Sequence, residues 1–311
     1  MKKSKKIKRN LEVCVISGIT RFARGLPRGL GFRVFSAMGT TASRLFKKDR
    51  DRAIRNLAMA FPEAPEPVTN ALASAMFKSL GKNFFEFLNL EGSSKQRVTG
   101  LVEHVGGMEN LDAALTKDAG LIVITGHIGC WELLAAYFSQ QGYPLCVVGR
   151  ELWEKRINER LIKIRESMGY RTIDRDSGGK EILRLLRDKK IIAVLIDQHT
   201  RVSGIYVPFF NRPAHTPTGV AKLAIKTGAP ILPMAIYMRD NGRHEVRILP
   251  ALEPPTPASA ANEAQKQVEN LTRECSHAIE TLVRFDPKQW VWFHNRWRHS
   301  EERETGHALV S

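Results

Sequence analysis

His127 and Glu132 are the pair whose residue types and spacing most directly describe a reaction. They lie in Leu121-Ile-Val-Ile-Thr-Gly126-His127-Ile-Gly129-Cys130-Trp131-Glu132. This reads as a buried apolar strand, a turn holding the histidine between glycines, and a helix that starts near Cys130. On one continuous helix, residues five apart would stand about 140° from each other. With His127 in the turn and Glu132 in the helix's first turns the two side chains can meet, and the flanking glycines permit that geometry. A helix N-terminus favours a carboxylate and disfavours imidazolium. Glu132 can then accept a hydrogen bond from one ring nitrogen and leave the other basic, the arrangement that takes a proton from an attacking hydroxyl. By residue type alone, such a pair is equally an ordinary structural contact.

Other groups sit where function gathers. Asp197, Gln198, His199 and Arg201 follow the strand Ile191–Ile196, and strand ends are where open α/β sheets bind ligands. A turn satisfying its own backbone would use the same residue types. Arg150 and Arg212 have the fork geometry that binds phosphate or a developing oxyanion, or they are plain surface arginines. Ser177-Gly-Gly-Lys180 lacks phosphate-loop spacing and reads as a helix N-terminus. His127, Glu132, Asp197 and His215 match no metal-ligand spacing, so neither a metal nor a cofactor is expected. Cys130 as a nucleophile is disfavoured. The four cysteines lie far apart, which fits reduced thiols rather than a disulfide framework.

The elements that must position these groups change character along the chain. Residues 1–95 read as mostly helical, with helical spacing over Arg50–Phe61 and Thr69–Leu88 around the Pro62–Pro67 turn. From about residue 100, strands at Leu121–Thr125, Leu145–Val148, Ile191–Ile196, Ile231–Tyr237 and Glu245–Ile248 alternate with helices at Trp131–Gln141, Leu152–Met168, Gly179–Asp188 and Thr218–Lys226. Such alternation predicts an α/β fold: one domain with a mixed sheet flanked by helices. The division is a helical N-terminal region over 1–95, an α/β domain over 96–298 that includes a C-terminal helix at 261–284, and a tail over 299–311.

The net charge is +16, and +13 of it falls in residues 1–60. A basic block of this kind calls for an anionic partner, or serves only as a solvated tail. The longest uncharged run near the start, Val13–Thr20, is far short of the ~20 residues that span a bilayer. No signal-peptide cleavage pattern follows it. Leu11, Val15, Ile19, Phe22 and Leu26 recur at helical spacing beside Arg21, Arg24 and Arg28, which suits a helix lying in a headgroup layer or docked on the protein's own core. The expectation is peripheral or monotopic attachment to an anionic membrane surface. Nucleic acid is excluded as a partner, because the block has no recognition motif and few interleaved aromatics.

Several motifs together resemble a known family. Gly126-His127-Ile-Gly-Cys-Trp131-Glu132 resembles the H-x4-D/E signature of glycerolipid-type acyltransferases, in the form found in the bacterial lipid A late acyltransferases of lauroyl and myristoyl type. Arg55-Asn56-Leu57 with Phe61-Pro62-Glu63, Gly149-Arg150, Asp197-Gln198, Val207-Pro208-Phe209-Phe210, Thr216-Pro217-Thr218-Gly219, Gly228-Ala229-Pro230 and Pro287-Lys-Gln-Trp290-Val-Trp292-Phe-His294-Asn-Arg296-Trp297 follow in that family's order over residues 50–298. The chain departs from the pattern at Asn211, where the family usually has glycine, and at Asn295. It also has a less apolar start.

The resemblance implies acyl transfer from acyl-carrier protein or acyl-CoA to a hydroxyl of a phosphorylated glycolipid, a lipid A precursor, at the cytoplasmic face of the inner membrane. The other readings are a different glycolipid or a lysophospholipid as acceptor, or water, which would make a thioesterase. His127 and Glu132 would be catalytic. Arg150, Asp197, Gln198, Arg212 and Thr218 would bind substrate. Val207, Phe209 and Phe210 would line an acyl pocket or simply pack the core.

Overall fold

The computed structural model describes residues 2–298. The expected tail 299–311 lies outside the described residues, as do the side chains of Leu11 and the lysine block before it. The chain runs α1 (Lys2–Gly25), α2 (Arg28–Leu45), α3 (Lys47–Ala60), α4 (Glu66–Leu88), α5 (Lys95–Gly100), β1 (Val102–Gly106), α6 (Met108–Leu115), β2 (Leu121–Thr125), α7 (Trp131–Gln140), β3 (Leu145–Gly149), α8 (Lys155–Ser167), β4 (Arg171–Asp174) and α9 (Gly179–Arg187). It continues through β5 (Ile191–Leu195), β6 (Gly204–Phe209), β7 (Arg212–Pro217), α10 (Gly219–Thr227), β8 (Ile231–Met238), β9 (His244–Ile248) and α11 (Ala261–Phe285) to a 3₁₀ turn at Pro287–Gln289.

Seven strands form one sheet in the order β1-β9-β8-β2-β5-β3-β4, and β6 pairs with β7 in a separate hairpin. Within the large sheet only β8 and β9 run antiparallel, so the expected mixed sheet is present. Its central strands read as unbroken apolar runs because both faces are covered. Along β2, Leu121 and Val123 join the core under α6, α7 and α8, whereas Ile122 and Ile124 join the core under α3, α9, α10 and α11. The α/β alternation seen in the sequence is that two-sided burial.

The edge strands and the small hairpin were not expected from the sequence. The edge strands β1 and β4 carry mostly half-exposed or exposed side chains, so they lack the apolar run that marks the inner strands. The β6–β7 hairpin contains Pro208, Pro213 and Pro217, which argue against a strand except where, as here, the pair stands apart from the main sheet. Its loop is Phe210-Asn211, with φ of 52° and 56°. Two positive φ values fit the primed turn that suits a two-residue hairpin, and asparagine takes that conformation more readily than most residues. Phe210 is held there by its N–H, which donates to Glu280 Oε2 at 2.6 Å, and by ring contacts with Phe61 and Trp292.

The predicted N-terminal stripe divides. Ile19 and Leu26 pack on the small core formed by Ala23, Phe35, Phe85 and Leu88. Val15 and Phe22 face outward, each at least half exposed. Arg24 and Arg28 turn inward to Glu91 and Glu86. Among the described residues no helix is long and apolar enough to cross a membrane.

Candidate functional site

β2 ends at Thr125, and the chain then turns sharply to enter α7. Gly129 has φ 56°, and a Cβ there would stand 2.0 Å from the Ile236 carbonyl oxygen. The turn is fastened to the C-terminal segment by Gly129 N–H donating to Gln289 O at 2.9 Å and by a bridge between Ile128 and Trp290. Gln289 also holds the Met238 main chain through both ends of its amide. His127 is thereby presented at the C-terminal end of the sheet, beside the end of the neighbouring strand β5.

That neighbour supplies the carboxylate. Asp197 Oδ1 lies 2.9 Å from His127 Nδ1, and its Oδ2 accepts from the His127 backbone N–H and from Trp290 Nε1, both at 2.8 Å. The carboxylate is fully buried. Burial works to raise its pKa, but the charge of His127, the hydrogen bonds that His127 donates and the charge of His294 outweigh it. The carboxyl is held well below the usual carboxylate range. The sequence reading that Glu132 orients His127 is therefore corrected: the imidazole's carboxylate partner is Asp197.

Glu132 makes a different contact. It begins α7 and is nine-tenths buried, but it faces α8 and β4. Its carboxylate receives Arg165 in a two-pronged pair at 2.5 and 3.0 Å and Tyr170 Oη at 2.8 Å. Burial would lower the Arg165 pKa, yet Glu132 beside it raises it. Arg165 also donates to Thr172 Oγ1. Glu132 thus ties α7 to α8 and β4 while still forming part of the wall near His127.

The groups around the imidazole come from distant parts of the chain. Trp131 meets the ring edge to face at 4.9 Å, and His294 lies 5.2 Å away between ring centres. Gln198 Nε2 is 3.1 Å from each His127 ring nitrogen and 2.6 Å from His294 Nε2. Burial, with repulsion from His127 and Arg52, pushes His294 from the ordinary 6.5 down to about 4, so its neutral ring can accept from Gln198. Asn56 on α3 anchors this segment, its Nδ2 donating to the Trp292 and His294 carbonyl oxygens at 2.6 and 2.7 Å. Arg296 is fully buried and grips the β6–β7 hairpin through His215 O and Thr216 Oγ1; burial pushes its pKa down to about 10.

A cavity of about 300 Å³ opens at His127. Arg150, Arg175, Gln198 and Thr200 stand among its polar residues. The remainder is apolar and runs between the sheet and α7, past Val123, Val147 and Ala193, to Leu145, Ile191, Phe138 and Tyr143. Leu195 stands four residue rises along β5 from Ile191, a depth of about 13 Å. Carbon–carbon bonds of about 1.52 Å at about 111° advance an extended chain about 2.5 Å every two carbons, so this depth takes roughly ten carbons. Thr125, like Val123, lines the cavity from β2, and its buried Oγ1 has no hydrogen-bond partner among the described residues.

Of the residues singled out in the sequence, the structure places His127, Glu132, Arg150 and Gln198 in the lining of this cavity, and Asp197 is tied to it through its bond to the His127 ring. Arg212 and Thr218 are not among its lining residues: Arg212 starts β7 and Thr218 immediately precedes α10. Of the suggested acyl-pocket residues, Phe209 and Phe210 are core packing instead. Thr125, Arg165, Tyr170, Trp290 and His294 were missed as site residues. Trp290 and His294 sat inside a recognisable motif, but no spacing rule links residue 294 to residue 127. Among the described residues no group of His, Cys, Asp or Glu is placed to hold a metal ion.

A family model described as "Bacterial lipid A biosynthesis acyltransferase" matches residues 1–299. A phosphatidylinositol mannoside acyltransferase of Mycobacterium tuberculosis (strain CDC 1551 / Oshkosh) is 28% identical over 236 residues, covering 74% of this chain and 73% of that protein. A lipid A biosynthesis acyltransferase of Haemophilus influenzae is 23% identical over 269 residues, covering 86% and 81%. The lipid A biosynthesis myristoyltransferase of Escherichia coli K12 is 21% identical over 261 residues, covering 83% and 78%.

The His294 environment generates a pH prediction. A histidine whose folded pKa is lowered adds stability that is present above its unfolded pKa and is lost as pH falls through 6.5 toward 4. With values of 6.5 and about 4, the loss is on the order of 3 kcal/mol. Urea unfolding between pH 7 and 4 should show this slope in the wild type and a flatter profile in His294→Gln. Equal slopes in the two proteins would contradict the assignment.

Proposed function

Because the chain belongs to the bacterial lipid A biosynthesis acyltransferase family, we propose that its cavity holds the acyl chain of a thioester donor while His127 activates a glycolipid hydroxyl. The observation that carries this reading is the continuity of the His127–Asp197 pair with an apolar cavity about ten carbons deep. With Nδ1–H donating to Asp197, His127 Nε2 is the unprotonated, basic nitrogen, facing Gln198 at 3.1 Å. The acceptor oxygen attacks the thioester carbonyl as its proton passes to Nε2. A tetrahedral oxyanion forms and collapses, the carbon–sulfur bond breaks, and the departing thiolate takes the proton from His127. Asp197 stabilises the imidazolium between these steps.

The oxyanion needs donors on the cavity side of His127. Thr125 closes β2 two residues before His127 and lines the same cavity. Its unpartnered hydroxyl can donate to the developing charge. Arg165, neutralised by Glu132, keeps the cavity wall rigid. Gln198, now beside the imidazole, gives way to the acceptor hydroxyl.

The donor is an acyl-carrier protein or acyl-CoA thioester, and Arg150 and Arg175 are the cations at the cavity's polar end. The acceptor is a phosphorylated glycolipid. The family description favours a lipid A precursor, whose acceptor group would be a hydroxyl on a 3-hydroxyacyl chain, and the phosphatidylinositol mannoside acyltransferases among the relatives favour another phosphorylated glycolipid. The enzyme works at an anionic membrane surface, the cytoplasmic face of the inner membrane. The outward Val15 and Phe22, the exposed Leu152 and Trp153, and the basic N-terminal residues support this placement.

Purified protein supplied with acyl-carrier protein or CoA thioesters, and with either a lipid A precursor or a phosphatidylinositol mannoside, should transfer the chain to one acceptor. His127→Ala should reduce transfer by about 10²–10⁴-fold. Thr125→Val should lower kcat by about 10²-fold with little change in donor KM. Because it removes an unpartnered buried hydroxyl, the melting temperature should hold or rise. Full activity of a folded His127→Ala protein, or of Thr125→Val, would refute the role assigned to that residue. Binding to anionic vesicles should weaken as salt shortens the screening length to about 3 Å at 1 M. Equal binding to neutral and anionic vesicles would contradict the membrane placement.

A further inference from the structure

A second cavity, of about 220 Å³, lies against Trp131. Leu80, Asn83, Phe84 and Phe87 of α4 form one wall, and Leu161 of α8 closes another. Trp131, Glu132 and Leu161 line both this cavity and the one at His127. These three side chains therefore form the partition between the two. Phe84 is 40% exposed, so the α4 wall reaches the surface. The acyl-transfer steps above use none of the α4 residues.

Two observations give this space a ligand chemistry. The first is the lining, aliphatic and aromatic apart from Asn83, Gly129, Cys130 and Glu132. A cavity of about 150 Å³ lined in this way takes a benzene ring, so the volume here admits a hydrocarbon segment of more than six carbons. The second is Asn83, which is 6% exposed and whose Oδ1 has no hydrogen-bond partner among the described residues. An unpartnered buried acceptor costs about 1–3 kcal/mol, and a ligand that brings an O–H or N–H removes that cost.

We infer that this cavity holds one aliphatic chain of the acceptor lipid, and that a hydroxyl or amide N–H on the chain donates to Asn83. The inference rests on the acyl-transfer reading above. The acceptor is an amphiphile whose reactive hydroxyl must reach His127 Nε2 while the donor chain fills the larger cavity. Its own chain then needs a separate apolar berth close to the imidazole. Trp131 places one there, since its indole touches His127 and forms the partition. The two chains lie on opposite sides of one aromatic side chain, and the hydroxyl and thioester meet at its edge.

The test separates acceptor binding from donor chemistry. In mixed micelles, Leu80→Trp fills the cavity and should raise the acceptor KM about ten-fold or more, the scale of one lost hydrogen bond or methylene contact. Hydrolysis of the donor thioester by water should stay near the wild-type rate. Asn83→Leu should raise KM for an acceptor whose chain carries the hydroxyl or amide, and leave KM unchanged for the analogue lacking that group. An acceptor analogue with a diazirine on the chain, irradiated with the wild-type protein, should label the α4 peptide containing Leu80 to Phe87. The inference is overturned if Leu80→Trp slows hydrolysis as much as transfer, if Asn83→Leu treats both acceptors alike, or if the label falls outside that peptide. Absence of transfer by the wild type would instead overturn the acyl-transfer reading, and the labelling experiment would still decide where the chain binds.

Discussion

The structure of the site depends on one buried carboxylate. Asp197 is taken wholly out of water, and its ionised form persists because three N–H donors converge on it: the His127 main chain, the His127 ring and the Trp290 indole. A lone carboxylate in such a place would neutralise itself. Each donor belongs to a different part of the construction. One fixes the turn after β2, one is the base, and one comes from the C-terminal segment after α11. Satisfying this charge joins the ends of two adjacent parallel strands to a segment more than ninety residues away. The rest of the fold holds those three pieces in register: Gln289 grips Met238, Asn56 grips the carbonyls of Trp292 and His294, and Arg296 grips the hairpin.

Glu132 and Asp197 show how two carboxylates near one histidine take different duties. Asp197 faces the ring, and its charge is compensated by groups that change as a proton moves. Glu132 is saturated by Arg165 and Tyr170, a static pair whose loss would strand a buried arginine at a cost of about 3–5 kcal/mol. Its contribution is to hold α7, α8 and β4 together along the cavity and to fix a cation in the wall. The spacing of His127 and Glu132 marks a strand-turn-helix unit correctly, but it does not reveal which carboxylate the imidazole meets.

How much was legible follows from the physics of each element. The inner strands could be read because both of their faces are buried, which forces continuous apolar runs at Leu121–Thr125 and Ile191–Leu195. The edge strands and the proline-bearing hairpin could not, since exposure and missing N–H groups remove that pattern. His127 stood out by its glycines, and Asp197 by its position at a strand end. Their contact depends on β2 and β5 being sheet neighbours in parallel register, with Thr125 opposite Leu195. That is a tertiary fact with no local signature. The same holds for His294, whose approach depends on the course of the chain after α11, and for Thr125, whose significance appears only once its hydroxyl is seen to lack a partner.

Asp197, and not Glu132, sets the tautomer of His127. The most direct measurement is ¹⁵N NMR of histidine-labelled protein in the wild type, Asp197→Asn and Glu132→Gln. Two N–H donors already point at Oδ2, so the asparagine oxygen must take that position and its NH₂ must face His127 Nδ1. The wild type should therefore carry its ring proton on Nδ1, Glu132→Gln should keep it there, and Asp197→Asn should move it to Nε2, the tautomer that cannot act as base. An Nδ1 proton that survives in Asp197→Asn and is lost in Glu132→Gln would contradict the account.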